Sequence, residues 1–342
     1  MTRLQEISIE ITNKCTQRCR HCSSSGGNPY KDELSLKEVK MVINEAKYLG
    51  AHILTLSGGD PCLRKDLFEI IKYARSKSFE IRLQTSGVYS FDDKNIVSIP
   101  IEFLKKFKRN IGPKDKIVYS ILGLKDTHEY TTTIKWSFDK VLQSIKKTKD
   151  YKIFTEVHTV ATRLNFKELP LILKILEENN VDSWHLLRLV PQGRCLENMD
   201  LTLNKDEFRE LQKTLLTLNS KKVQIYLGHN IDKRYWLDES IPIKSCPIGR
   251  DKILVRANGN LSFCAALKRK AELNIRIFRL KYFWEESWDA KNYQHLQKII
   301  PKFLKGKCET CSILTLCRGG CAAQRIHEYN DIGQGPDPMC FK

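Results

Sequence analysis

The chain has 342 residues, enough for one large domain and a smaller second one, and its 41% apolar content can fill a packed core. No run of eighteen apolar residues occurs, and Met1–Glu6 lacks the apolar stretch of a signal peptide, which excludes a spanning helix and points to the cytoplasm. The net charge of +18 fits either an acidic partner or a solvated lysine-rich surface, and the densest cluster, Lys105–Arg109, is short.

The first two hundred residues alternate strand-like and helix-like segments. Ile7–Ile11 reads as a strand, and the loop after it carries Cys15, Cys19 and Cys22. Ser35-Leu36-Lys37-Glu38 is a capping box opening a helix with Leu36, Val39, Val42, Ile43, Ala46 and Leu49 on one face, stopped by Gly50. His52–Leu56 is the second strand, followed by the glycine loop Ser57-Gly58-Gly59-Asp60-Pro61. Asp66 is expected to cap a second helix. Strands three to six are expected at Glu80–Leu83, Ile117–Ile121, Phe154–Val160 and Trp184–Leu189, with helices near Phe138–Lys147 and after a cap at Asn165.

Six β-then-α units argue for an α/β fold with a parallel sheet, either a barrel or a doubly wound sheet. In both, ligands gather at the C-terminal ends of the strands, where the cysteine and glycine loops lie. The expected domains are a core over 1–200, a bridge over 201–245 and a cysteine-rich domain over 246–342. The bridge holds a helix near Lys205–Leu218 and a short strand near Val223–Leu227. The last domain contains a hairpin signal, Arg256-Ala257-Asn258-Gly259-Asn260.

The chain has twelve cysteines, many for a reducing compartment, where metal binding explains them better than disulfides. Cys15, Cys19 and Cys22 could hold three irons of a cubane cluster or form part of a zinc knuckle. His21 would be the fourth zinc ligand, but it lies between two ligating cysteines, where reaching the same tetrahedron is strained. At the other end the spacing is C-x12-G-x4-C over Cys246, Gly259 and Cys264, then C-x2-C-x5-C-x3-C over Cys308, Cys311, Cys317 and Cys321, then Cys340. Cys62 and Cys195 stand alone.

The Cys15–Cys22 loop resembles the cluster motif of the radical S-adenosylmethionine (radical SAM) superfamily. Gly58-Gly59-Asp60-Pro61 resembles that family's Gly-Gly-Glu-Pro, Thr85-Ser86-Gly87 its Thr-Asn-Gly, and Ser120-Ile121-Leu122-Gly123 its Ser-Leu-Asp-Gly. The C-terminal pattern resembles the SPASM domain. The resemblance implies a partial (β/α)6 barrel followed by a small SPASM domain. It implies three [4Fe–4S] clusters: the catalytic one on Cys15, Cys19 and Cys22, an auxiliary one on Cys246, Cys264 and Cys321, and a second auxiliary one on Cys308, Cys311, Cys317 and Cys340. No eighth cysteine follows Cys246 over residues 247–253, so the first auxiliary cluster is expected to have an open iron. The resemblance further implies SAM contacts from Ser57, Gly58, Gly59, Asp60, Pro61 and Ser120, with the His21 ring near the adenine.

SPASM relatives mostly modify peptides and proteins, so the implied function is hydrogen abstraction from a peptide substrate, an acidic one on charge grounds, for crosslinking, epimerisation or oxidation. A low-potential electron donor such as flavodoxin or ferredoxin is implied too. Ala265-Ala266 after Cys264 counts against sulfatase maturases, which carry an Asp there. The chain starts directly at strand one, so any leader recognition is expected from a separate protein or the basic surface. Cys195 is a candidate hydrogen-atom donor or an inert small side chain, and Arg188 and Arg194 are candidates for a carboxylate or for ordinary ion pairs. Two alternatives are maturation of a small cofactor (a tetrapyrrole or a quinone) and a zinc-stabilised nucleic-acid-binding protein. The latter has no use for the glycine loop.

Overall fold

A computed structural model describes residues 3–90, 95–242, 246, 248–270, 273–286 and 304–342. The strands are β1 (Glu6–Thr12), β2 (Ile53–Gly58), β3 (Glu80–Thr85), β4 (Val88–Ser90), β5 (Ile96–Ser98), β6 (Lys116–Ser120), β7 (Phe154–Ala161), β8 (Ser183–Arg188), β9 (Gln224–Leu227), β10 (Lys252–Val255) and β11 (Leu261–Ser262). The helices of eight residues or more are α1 (Leu36–Tyr48), α2 (Leu67–Ser76), α3 (Ile101–Arg109), α4 (Lys125–Thr132), α5 (Ser137–Asp150), α6 (Leu169–Glu178), α7 (Lys205–Thr217) and α8 (Ala322–Tyr329).

Nine strands form one sheet in the order β11-β10-β1-β2-β3-β6-β7-β8-β9, and only the β10–β11 pair is antiparallel. This order decides between the two architectures the sequence left open. A doubly wound sheet reverses its strand order midway and so places helices on both faces. Here the strands from β1 to β9 run in one direction without reversal. Right-handed crossovers then put every connecting helix on one side. The residues show it: Ile7, Ile9, Leu54, Leu56, Ile81, Leu83, Ile117, Val157, Trp184 and Leu186 are fully buried on the helix side. Their alternates, Glu6, Glu10, Arg82, Lys116, Glu156, His158 and His185, form a polar opposite face. A sheet with one apolar and one polar face curls around the polar side as an open barrel. Among the described residues β9 pairs only with β8, so the barrel is partial.

The capping box at Ser35 and Glu38 forms as expected, and Asn204 with Glu207 makes a second one at α7. Two expected caps do not form. Asp66 precedes α2 without capping it, because its carboxylate takes two hydrogen bonds from Arg64. Asn165 lies in the loop before α6, which starts only at Leu169. Its amide ties that loop to the Leu122 and Val160 carbonyls at 2.8 and 2.9 Å.

Lys105–Arg109 falls on α3, where Leu104 and Phe107 face the core and the cations face solvent, the ordinary solvated face of an amphipathic helix. The Arg256–Asn260 turn joins β10 to β11, with Arg256 N–H donating to Asn260 O at 2.8 Å. Although composition changes at residue 246, β10 continues the core sheet by pairing with β1. Among the described residues no helix is long and apolar enough to cross a membrane.

Candidate active site and cysteine loops

β1 ends in a loop that is tied back on itself. Glu33 accepts from Thr12 Oγ1 at 2.9 Å, Asn13 N–H at 2.6 Å and Tyr30 N–H at 3.1 Å. Cys15 N–H donates to Gly27 O and Gly27 N–H to Asn13 O, both at 2.8 Å. Arg194, beyond β8, clamps the far side, donating to Cys19 O at 2.8 Å and Gly26 O at 2.6 Å. It thus donates to the loop's own carbonyls, as Arg188 does to Asp337.

The two glycines after β2 have a use that sequence reasoning missed. Gly58 N-terminal to the turn has φ +146°, and a Cβ there would lie 2.1 Å from Thr12 O. A Cβ on Gly59 would lie 2.3 Å from Lys14 O. Their backbone also feeds the contact: Gly59 N–H donates to Thr12 O and Asp60 N–H to Lys14 O, both at 2.7 Å. The glycine loop is thus docked onto the cysteine loop, fixing their mutual register.

Asp60 is 1% exposed and holds a third loop in place. Its carboxylate accepts from Thr85 Oγ1, Ser86 N–H, Ser86 Oγ and Cys62 N–H. Burial raises its pKa, against the pull of the Ser86 and Thr85 hydrogen bonds. Pro61 opens the short 3-10 turn after it. Ser57 is half-buried at the end of β2. Ser120 ends β6 on the polar face, beside His158 of β7.

Cys15, Cys19 and Cys22 come together. Burial pushes the Cys15 thiol up to about 12, reinforced by Asp60 and Cys22. The Cys19 thiol is also raised well above its usual value, first by burial and then by Cys15 and Cys22. At the C-terminal end, burial pushes Cys264 up to about 12 with help from Cys246 and Cys321, and Cys246 up to about 11 with help from Cys321. Cys308 rises to about 11 through burial and the nearby Cys317, Cys340 and Cys311. In the tail, Cys246, Cys264 and Cys321 thus lie near enough to perturb one another's thiols, as do Cys308, Cys311, Cys317 and Cys340. All twelve cysteines are free.

Tetrahedral zinc with Zn–S bonds of about 2.3 Å needs sulfurs about 3.8 Å apart. Among the described residues, no three cysteines bring their sulfurs within 4.8 Å of one another. Hydrogen bonds to sulfur are in place: Tyr235 Oη and Trp236 Nε1 reach Cys317 Sγ at 3.5 and 3.4 Å. These donors lie in the bridging segment, and nothing in its sequence marked them.

His21 is half-buried in the loop. Burial, then Arg194, pushes its pKa down to about 4. Its Nδ1 has no hydrogen-bond partner among the described residues. His128 of α4 is packed nearby, its Nδ1 accepting from Leu122 N–H at 3.1 Å. Burial, then His21, lowers the His128 pKa to about 3. A base depressed on folding gives stability that is complete above the unfolded pKa of about 6.5 and is lost as pH falls toward the folded value. Urea melts at pH 7, 6 and 5 should show stability falling by up to about 1.4 kcal/mol per unit for this proton. His128→Gln, which keeps the acceptor, should flatten that slope.

Cys195 is fully buried against Leu189 and Leu201, and burial raises its thiol to about 11. That is the setting of a small apolar side chain. Two other side chains escaped sequence reasoning. Glu33 organises the cysteine loop from the segment before α1. Lys268, from the tail, reaches Glu10 at 2.6 Å and also bonds Ser23 and Ser24. Burial alone would raise Glu10, but Lys268 and Arg256 overcome it and hold its carboxyl below the usual range.

The profile of the radical SAM superfamily matches residues 9–176. The chain is 24% identical to the AdoMet-dependent heme synthase of Oleidesulfovibrio alaskensis, over 98% of this chain and 86% of that protein. Its fold superposes on Streptococcus suis SuiB bound to S-adenosylmethionine with a TM-score of 0.77 at 13% identity, covering 100% of this chain and 78% of SuiB. It superposes on anSMEcpe with bound AdoMet and the Cp18Cys peptide with a TM-score of 0.73 at 18% identity, covering 98% and 93%. The chain carries a radical SAM domain, followed by a cysteine-rich C-terminal region that resembles that of SPASM-domain radical SAM enzymes.

Proposed function

We propose that this chain cleaves S-adenosylmethionine reductively and uses the 5′-deoxyadenosyl radical to take a hydrogen atom from a peptide or protein. The observation that carries the reading is the pairing of a half-buried three-cysteine loop with a glycine loop docked onto its backbone. A [4Fe–4S] cluster on Cys15, Cys19 and Cys22 would supply one electron and an open iron for the amino and carboxylate groups of the cofactor.

The chain's own residues do the rest. Glu33 and Arg194 hold the loop carbonyls and N–H groups so that the three sulfurs keep their places. Gly58 and Gly59 set the SAM-facing loop against them. With its carboxylate committed to Thr85 and Ser86, Asp60 positions the loop, while Ser120 offers a hydroxyl on the polar face. His21 presents a neutral ring beside the cluster loop. In the tail, Cys246, Cys264 and Cys321 would hold one auxiliary cluster, and Cys308, Cys311, Cys317 and Cys340 another. Donors on Cys317 from Tyr235 and Trp236 would raise the potential of the latter. A flavodoxin or ferredoxin would deliver the electron.

The fold relative bound to a peptide supports a peptide substrate. A second reading, a tetrapyrrole substrate, is favoured by the end-to-end sequence likeness to a heme synthase. Both substrates carry carboxylates that a +18 chain would attract. Anaerobic reconstitution should give about twelve irons per chain, the sum of three cubane clusters. Incubation with SAM and dithionite should then give methionine and 5′-deoxyadenosine. Stoichiometric zinc without an iron chromophore would overturn the reading. Substrate is settled by mass spectrometry of two parallel incubations, one with a peptide encoded beside the gene and one with an iron coproporphyrin. A mass change, or deuterium uptake from D2O at unchanged bonding as epimerisation would give, in only one of them assigns the class.

A further inference from the structure

The polar face of the barrel holds a second group of ligand-type side chains, one that contains no cysteine. Glu156 and His158 are two residues apart on β7, so both point to the same face. His185 on β8 is the in-register neighbour of His158. One ligand atom from each of the three lies within 4.8 Å of the others, the only such group among the described residues. From the geometry of these three side chains we infer a binding site for one divalent transition-metal ion at Glu156, His158 and His185.

Three features favour it. The donor set, two imidazoles and one carboxylate, is the one borderline divalent ions such as iron, zinc and manganese take, and it leaves coordination positions open. The carboxylate is already oriented. Glu156 Oε2 accepts from Lys116 Nζ and Ser183 Oγ, both at 2.9 Å. Its other oxygen, Oε1, lies 2.9 Å from His158 Nε2. Ligating carboxylates are commonly held through their second oxygen in this way, which fixes the first. The rings are also set at an angle, with centroids 5.1 Å apart and planes at 80°, so their edges can converge on one point without stacking.

The location suits an ion that meets substrate. Ser120, His158, His185 and Tyr226 form one in-register row across β6, β7, β8 and β9. The ion would therefore sit in the barrel interior, one strand from the Ser120 hydroxyl. The side chains of Glu156 and His158 are 7% and 19% exposed, which is enough for entry and too little for a casual surface site. An open position on the ion would take an anionic or nitrogen-donor group of the substrate. The rival reading is a closed Lys116–Glu156–His158 ion-pair network with no ion.

The test uses cluster-loaded protein titrated with Mn²⁺, whose free ion is counted by room-temperature EPR, and with Zn²⁺, counted by metal analysis after gel filtration. One equivalent of either metal per chain is expected. His158→Gln and His185→Phe should each weaken it by roughly tenfold or more, at unchanged iron content and far-UV circular dichroism. Replacing Cys15, Cys19 and Cys22 by alanine should leave Mn²⁺ binding intact, so this inference stands or falls apart from the radical chemistry. It is overturned if the wild-type chain binds neither ion stoichiometrically, or if the two histidine variants bind like wild type.

Discussion

Replacing Cys15, Cys19 and Cys22 together by alanine will reduce 5′-deoxyadenosine formation to the no-enzyme background. The effect is all-or-none because the three sulfurs share one loop, and no other group of cysteines lies against Gly58 and Gly59. The matching change at Cys308, Cys311, Cys317 and Cys340 will act differently. That group lies in the tail, so SAM cleavage will survive uncoupled while modified product disappears. Folding is the confounder, since a group bound only by the native state also stabilises it. The loop is held mainly by Glu33, Arg194 and the β2 backbone rather than by sulfur, so the N-terminal variant should keep its far-UV spectrum. A folded triple variant that still forms 5′-deoxyadenosine would show that the catalytic cluster lies elsewhere.

The largest loss of stability is expected at Asp337. This carboxylate is 1% exposed and sits 149 residues along the chain from its partner Arg188. Arg188 Nη1 reaches both of its oxygens at 2.9 Å, and Cys321 N–H and Met339 N–H donate to it at 3.0 Å. Burial would raise its pKa, yet Arg188 and Lys233 hold it below the usual carboxylate range. One anion thus anchors the end of β8 to the backbone of a tail cysteine. Asp337→Asn leaves Arg188 and Lys233 buried without their counter-charge. Removing one partner of such a pair typically costs about 3–5 kcal/mol, read as a lower urea midpoint. The double change Asp337→Asn with Arg188→Met removes the stranded guanidinium and should recover part of the loss. If the double variant is as unstable as the sum of the two single ones, the pair is not the source. Because Cys321 loses a backbone tie as well, iron content should fall toward eight per chain, the sum of two remaining cubanes.

Much of the chemistry was legible in the residues alone. Cysteine spacing is a local property: a loop of eight residues from Cys15 to Cys22 can bring its thiols together whatever surrounds it. The β-then-α rhythm was legible for the same reason, since apolar alternation and the Ser35 capping box act within a few residues. Elements without such signals were not found. The α4 helix is one, with a weak apolar stripe and no side-chain cap, and the β4–β5 hairpin has only three residues per strand. Asp66 and Asn165 carried cap-like signals but met stronger partners, Arg64 and two loop carbonyls.

What only the tertiary structure decided is long-range. Strand order cannot be read from periodicity, because each βα unit looks alike wherever it pairs; the unreversed order made the sheet a partial barrel. The glycine pair was legible as a loop at the ligand end of the sheet, but the backbone it packs against was not. Thr12 and Lys14 are distant in sequence and become neighbours only when β1 and β2 pair. Arg194 and Arg188 read equally as partners of a ligand carboxylate or of an ordinary ion pair, and only folding supplied the loop carbonyls and Asp337. The same holds for Glu156, His158 and His185: a carboxylate and two imidazoles on two strands have no motif, and strand register alone makes them one site.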